Sequence, residues 1–258
     1  MVRVIAIVNQ KGGVGKTTTA INLGASLAAD GHTVVLIDLD PQANTTSGLG
    51  IPRRAVRLST YDLLLGDVGA ADAVVPTAVM GLYLIPSTIH LAGAEVELAG
   101  MPDREHRLKR SIQGLQCSMA LIDCPPSLGL LTINALVAAT EAIIPIQCEY
   151  YALEGLMHLL RSIDLVRQHL NPDLELAGML LTMHDPRTNL SAQVEKEVRQ
   201  HFGDRVYRTV IPRSVRLAEA PSHGKPVAIY DPGSRGAMAY RELAREVVER
   251  GQRRAAFS

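Results

Sequence analysis

Tryptophan is absent from these 258 residues, which hold only two Phe and seven Tyr. With hydrophobic residues at 47% and aromatics at 3%, Ala, Val, Leu and Ile must fill the interior. The scarcity of aromatics argues against a surface that stacks unpaired bases. No apolar run reaches the roughly 18–20 residues that span a bilayer. No cleavable leader is visible before the first apolar run, Val4–Val8. The three cysteines, Cys117, Cys124 and Cys148, form no C-x-x-C pair, and the eight histidines fall at no metal-binding spacing. Scattered cysteines of this kind read as small buried hydrophobes in a reducing cytoplasm. Net charge is zero, but it is unevenly placed. Residues 1–184 carry 12 Lys and Arg against 17 Asp and Glu, whereas residues 185–258 carry 14 against 9. A neutral chain of this kind can still offer a polyanion a local basic face.

What the chain does have is a glycine loop between two apolar segments. Val4-Ile5-Ala6-Ile7-Val8 runs into Lys11-Gly12-Gly13-Val14-Gly15-Lys16-Thr17-Thr18, and Ala20–Ala28 follows. The order is strand, loop, helix. Such a loop turns successive backbone N–H groups inward as a nest for phosphate oxygens, and the positive end of the helix dipole faces the same point. Lys16 is placed to reach β- and γ-phosphates, and the Thr17 hydroxyl to ligate Mg²⁺. The general phosphate-loop pattern wants a further Gly where this chain has Gln10, and a second lysine, Lys11, opens the loop.

Two further apolar runs end in acids. Val34–Ile37 leads into Asp38-Leu39-Asp40-Pro41-Gln42. Strand alternation puts Asp38 and Asp40 on one side if the strand continues that far. Met119–Ile122 leads into Asp123-Cys124-Pro125-Pro126-Ser127. An acid after an apolar strand downstream of a phosphate loop is placed to hold Mg²⁺ directly or through water.

Strands are expected at 2–8, 34–38, 82–86, 120–123, 142–145, 176–182 and 206–211. Helices are expected at 17–29, 93–98, 103–115, 129–138, 153–169, 191–202 and 235–249. This alternation predicts an α/β fold: a doubly wound, mostly parallel sheet flanked by helices, with ligands beyond the carboxyl ends of the strands. The whole chain, 1–258, reads as a single P-loop domain. The segment 48–79 carries no clear pattern, and its Arg53, Arg54 and Arg57 are expected on an exposed loop.

The double-lysine loop resembles the deviant Walker A motif of the ParA/MinD ATPases. Asp38–Asn44, Asp123–Ser127, Thr182-Met183 with Arg187-Thr188-Asn189, Glu219–Pro226, and Tyr230-Asp231-Pro232 with Ser234-Arg235-Gly236 resemble the Soj-type ParA branch. Together these motifs span nearly the whole chain.

The resemblance implies an ATPase that uses ATP and Mg²⁺ and forms an ATP-dependent homodimer. It implies non-specific double-stranded DNA binding, and a ParB-type partner that stimulates hydrolysis during chromosome or plasmid partitioning. It assigns Lys11 to the neighbour's nucleotide, Asp40 to the attacking water, and Asp38 to the support of Mg²⁺ beside Thr17 and Asp123. Pro212 and Arg213 would line the adenine pocket. DNA contacts are expected at Arg187 and Arg216, then at Arg213, Lys225, Lys196 and Arg199. The chain starts at its first strand, so the N-terminal helix-turn-helix of larger plasmid ParA proteins is not expected. Location would be cytoplasmic and nucleoid-associated. A MinD-like membrane ATPase is the alternative. It needs an amphipathic C-terminal helix, for which the tail offers only Val247, Val248 and Phe257 among arginines.

Overall fold

The computed structural model describes every residue except Met1, Asp67, Tyr150, Tyr151 and Ala256–Ser258. The strands are β1 Arg3–Ile7, β2 Val34–Asp38, β3 Val75–Pro76, β4 Leu82–Ile85, β5 Met119–Asp123, β6 Glu141–Gln147, β7 Glu175–His184 and β8 Val206–Pro212. They form one sheet in the order β3-β4-β2-β5-β1-β6-β7-β8. Every pairing is parallel except the antiparallel β3–β4 edge.

The helices, in chain order, begin with α1 Lys16–Ala29, α2 Asn44–Gly48, α3 Thr60–Leu65 and α4 Ala70–Ala73. Then come α5 Leu91–Ala99, α6 Arg107–Ser111, α7 Leu130–Ala138 and α8 Ala152–His169. The last four are α9 Asn189–Phe202, α10 Val215–Glu219, α11 Val227–Tyr230 and α12 Arg235–Ala255.

Both faces of the sheet are covered, which is why β2 and β5 are buried at every position. Alternation along β1 sends Val4 and Ala6 into one layer with Leu63, Leu98 and Leu136. Ile5 and Ile7 enter the other, with Leu23, Leu27 and Leu243. Gly24 lets α1 lie tight against the sheet, since a Cβ there would come within 2.8 Å of Leu36 Cδ2.

All seven expected strands are present, with ends shifted by up to two residues. The two-residue β3 was not expected, being too short to show alternation. The helix expected over 103–115 is broken. Asp103 takes a left-handed φ of 51°, a 3-10 turn covers Arg104–His106, and α6 ends at Ser111 before Gly114 at φ 78°. The segment 48–79 contains α3 and α4, and Arg53, Arg54 and Arg57 are exposed as expected. α12 runs past Glu249, the expected end, to Ala255. Val247 is fully buried and Val248 packs on the core, so neither offers an apolar face to a membrane. Phe257 lies outside the described residues. No helix of the described residues is long and apolar enough to cross a bilayer.

Candidate nucleotide site

β1 lies between β5 and β6, where the strand order reverses direction, and the crevice beyond its carboxyl end is the expected ligand position. The glycine loop sits there. Asn9 fixes its start: Nδ2 donates to Pro145 O of β6 (2.7 Å), and Oδ1 accepts from Lys11 N (2.9 Å). Gly15 closes it with φ 88°, a left-handed conformation that glycine adopts without the steric cost of a Cβ. Thr182 of β7 braces the loop, its Oγ1 donating to Val14 O (2.9 Å).

The two lysines differ in setting. Lys16 is 7% exposed, and Nζ donates to Lys11 O (3.0 Å). Burial lowers its pKa, while the charge of Asp123 opposes that shift. Lys11 is exposed at the loop mouth, 3.8 Å from Glu149 Oε2.

Asp38 and Asp123 are register partners at the ends of β2 and β5. Asp123 Oδ2 accepts from Thr17 Oγ1 (2.8 Å) and Thr45 Oγ1 (2.7 Å), while its Oδ1 is buried without a partner. Asp38 Oδ2 accepts from Thr46 N (2.8 Å) and Thr46 Oγ1 (2.6 Å), and Oδ1 accepts from Asp40 N (3.3 Å). Burial pushes Asp123 up to about 6. Burial and the charge of Asp123 push Asp38 up to about 8. Two buried neighbouring carboxylates cannot both ionise cheaply without a cation. β2 stops at Asp38, so Asp40 lies in the following turn, where Oδ1 accepts from Gln42 N (2.9 Å). Asp40 is almost buried, and its charge acts on both Lys16 and Asp123.

The donor set fits a hard divalent cation. A buried orphan carboxylate oxygen stands beside the Thr17 hydroxyl, and Mg²⁺ typically takes one or two protein oxygens plus phosphate oxygens. Among the described residues no group of three or more His, Cys, Asp or Glu could hold a metal unaided. Cys124 is fully buried, and burial pushes its thiol up, as an inert packing residue requires.

Beside the loop opens a cavity of about 360 Å³. Gly15, Thr18, Met183, Pro212, Arg213 and Tyr240 are among its lining residues, and its walls suit a flat apolar group. Pro212 and Arg213, expected at a base pocket, thus lie next to the phosphate loop. Thr45, Thr46 and Glu149 were not singled out from sequence, although Thr45 and Thr46 had a signal in their place just after the Asp38–Asn44 motif. Thr182 belongs to the expected Thr182-Met183 motif, but its role as a brace for the loop was not expected.

The expected DNA contacts do not form one cluster. Arg187 is 86% exposed, and Nη2 lies 2.7 Å from Asp185 Oδ2. That guanidinium holds the Asp185 carboxyl far below the usual carboxylate range. Arg216 pairs with Glu219 (2.9 Å) and Asp231 (3.3 Å). Arg213, Lys225 and Lys196 are exposed. Arg199 is engaged by Glu195 and by the carbonyls of Tyr207 and Arg208. Those carbonyls are at the start of β8, whereas Arg213 follows its end, about 20 Å away along the strand.

Residues 2–176 match a family described as an AAA domain. The sporulation initiation inhibitor protein Soj of Bacillus subtilis is 57% identical over 253 residues, covering 97% of this chain and 100% of that protein. The chromosome partitioning protein ParA of Caulobacter vibrioides is 53% identical over 258 residues, covering 98% and 97%. Among solved structures, cobyrinic acid a,c-diamide synthase of Mycobacterium smegmatis, with bound ATP analog and magnesium, superposes with a TM-score of 0.86. It is 41% identical, with 98% of this chain and 96% of that chain covered. With the loop, the two acid-terminated strands and the eight-stranded sheet in place, the chain belongs to the ParA/Soj family of P-loop partitioning ATPases.

Proposed function

We propose that the chain hydrolyses ATP with Mg²⁺, dimerises through bound ATP, and in that state binds double-stranded DNA without sequence preference. A ParB-type partner would trigger hydrolysis and release, serving chromosome or plasmid partitioning in the cytoplasm. The observation that carries this reading is the contrast between the two loop lysines. Lys16 is buried among carboxylates within its own site, whereas Lys11 points outward on a weak pairing with Glu149. One serves the chain's own phosphates and the other is available to a neighbour's. The higher identities to partitioning proteins favour this activity over the amide synthesis named for the Mycobacterium structure.

The backbone of Gly12–Thr18 would cradle the phosphates, and Lys16 would exchange the Lys11 carbonyl for a phosphate oxygen. Thr17 and Asp123 would hold Mg²⁺, with Asp38 steadying Thr46 and the turn beyond. Bound there, magnesium would spread the charge of the transferred phosphoryl group. Asp40, held by the Gln42 amide, would orient the attacking water. The base would enter beside Pro212 and Arg213. A neighbour's Lys11 would meet the terminal phosphate, so ATP would bind the pair better than the single chain. Only such differential affinity shifts an association equilibrium. Pairing would double the number of basic groups that Arg187, Arg213, Arg216, Lys225 and Lys196 offer to DNA, steepening both affinity and its salt dependence; Arg199, engaged by Glu195 and two carbonyls, is not among them.

The test is DNA binding and sedimentation measured without nucleotide, with ADP, with ATP and with a slowly hydrolysed analogue. Dimers and salt-sensitive DNA binding are expected with the analogue alone or with ATP. A single-chain mass under saturating analogue and magnesium would refute the reading.

A further inference from the structure

Thr45 and Thr46 are both fully buried, on the short helix α2 that follows the Asp40 turn. Consecutive helical residues point about 100° apart, and neighbouring strands lie about 4.8 Å apart, so two adjacent threonines can address two adjacent strands. Here they do. Thr45 Oγ1 donates to Asp123 Oδ2 at the end of β5 (2.7 Å), and Thr46 Oγ1 donates to Asp38 Oδ2 at the end of β2 (2.6 Å). Ser87 N donates in turn to Thr46 Oγ1 (2.9 Å). The entry to α2 is equally constrained. Ala43 takes a left-handed φ of 54°, uncommon for any residue but glycine, and its N–H donates to Asp40 O (2.9 Å).

Asp123 does not need Thr45 merely to have a partner. Thr17 Oγ1 already donates to the same oxygen, Oδ2 (2.8 Å). With both hydroxyls on Oδ2, Oδ1 is left buried without a partner. A carboxylate held by one donor can turn about its Cβ–Cγ bond, a broad torsion, and present either oxygen. Two donors arriving on one oxygen from separate helices, α1 and α2, fix which oxygen stays bare. The Thr17 hydroxyl is shared with the proposed cation. The Thr45 hydroxyl has no partner besides Asp123 among the described residues.

We propose that Thr45 is a positioning residue for Mg²⁺: by holding Asp123 Oδ2 it keeps Oδ1 turned toward the cation. This rests on the placing of Mg²⁺ at Thr17 and Asp123. Thr45 acts through Asp123 and is not itself a ligand. Removing an outer partner of this kind typically weakens metal binding by about ten- to a hundredfold.

The experiment titrates Mg²⁺ into the full chain with fluorescently labelled ADP, whose complex the reading above leaves as a single chain, and follows anisotropy. Thr45→Val keeps the side chain's shape and removes the hydroxyl, whereas Thr45→Ser keeps the hydroxyl. The valine variant is expected to need at least about tenfold more Mg²⁺ for half the response, and the serine variant about as much as the unmutated chain. Labelled ADP in EDTA is expected to bind all three equally. Asp123→Ala and the double variant Asp123→Ala/Thr45→Val are expected to respond alike, because Thr45 has nothing left to position. Losses that add in the double variant overturn the proposal and make Thr45 a ligand in its own right. An unchanged Mg²⁺ midpoint in Thr45→Val, a shift that serine does not restore, or weaker ADP binding in EDTA also overturns it. A Thr45→Val protein that fails to fold, read by circular dichroism, assigns the hydroxyl to the fold and overturns it too. A midpoint that Asp123→Ala leaves unchanged refutes the placing of Mg²⁺ itself. One that moves in Asp123→Ala but not in Thr45→Val refutes only the part given to Thr45.

Discussion

Asp123→Asn should make the nucleotide-free protein more stable, and increasingly so as pH rises. The substitution keeps an oxygen for the Thr17 and Thr45 hydroxyls, puts an amide NH2 where Oδ1 has no partner, and removes the charge, which also acts on Lys16. Burial raises Asp123 from 3.8 to about 6, so the folded chain holds a proton that the unfolded chain has already released. A raised acid favours the folded state at low pH, and that contribution fades as pH climbs from about 4 through the folded value. The difference amounts to roughly 3 kcal/mol at pH 8. Asp38 relaxes with it, because the charge of Asp123 is one cause of its own rise. For a chain of this size, 3 kcal/mol corresponds to about 6–12 °C in Tm. Scanning calorimetry without nucleotide, between about pH 3.5 and pH 8, should show the two proteins converging at the acid end, below the unfolded value. The variant should lead at the alkaline end. With magnesium and ATP the order should invert, since only the unmutated chain gains from the ligand. A Tm gap independent of pH, or an unmutated protein that is the more stable at pH 8 without ligand, would sink this account.

Three other outcomes are expected. Asp40→Ala should slow ATP turnover by about a hundredfold or more while leaving a long-lived ATP dimer; phosphate release and sedimentation read the two effects separately. Asp185→Asn should free Arg187 from its exposed ion pair and tighten DNA binding a few-fold; a filter-binding titration with ATP analogue would show it. Glu246→Ala should lower stability by about 3 kcal/mol or more, seen as a fall in Tm, because this buried carboxylate accepts from Arg208 N, Thr209 N and Thr209 Oγ1 and pairs with Arg250.

The strands that build the site were legible because burial on both faces leaves nearly uninterrupted apolar runs. Val34–Ile37 and Ala120–Ile122 each end in an acid at the sheet's carboxyl edge. The loop was legible because its glycines and lysines are consecutive. Contacts between distant parts of the chain left no pattern. Thr182 reaches Val14 from 168 residues away, and Tyr240 meets the Thr19 hydroxyl from 221 away. Helix breaks were hidden for a different reason. Asp103 adopts a left-handed conformation that its residue type permits but does not announce. The pairing of Lys11 with Glu149 involves two half-exposed side chains, which no periodicity marks.

That weak pairing also explains how one loop can serve two chains. A lysine locked in a buried ion pair would leave its partner's charge uncompensated if it moved, at a cost of several kcal/mol. Lys11 is bound by an exposed contact at 3.8 Å, worth at most about 1 kcal/mol. It can exchange Glu149 for a phosphate across an interface at little cost. Lys16 cannot leave in this way, because it is buried beside Asp123 and Asp40 and balances their charge. The division of labour between the lysines therefore follows from their burial. Glu149→Gln should ease the exchange further and lower the ATP concentration needed for dimerisation by a few-fold, at the scale of an exposed ion pair. Sedimentation across an ATP titration, with hydrolysis blocked by Asp40→Ala, measures that midpoint. A midpoint equal to or above that of the Asp40→Ala parent would show that Glu149 does not restrain Lys11.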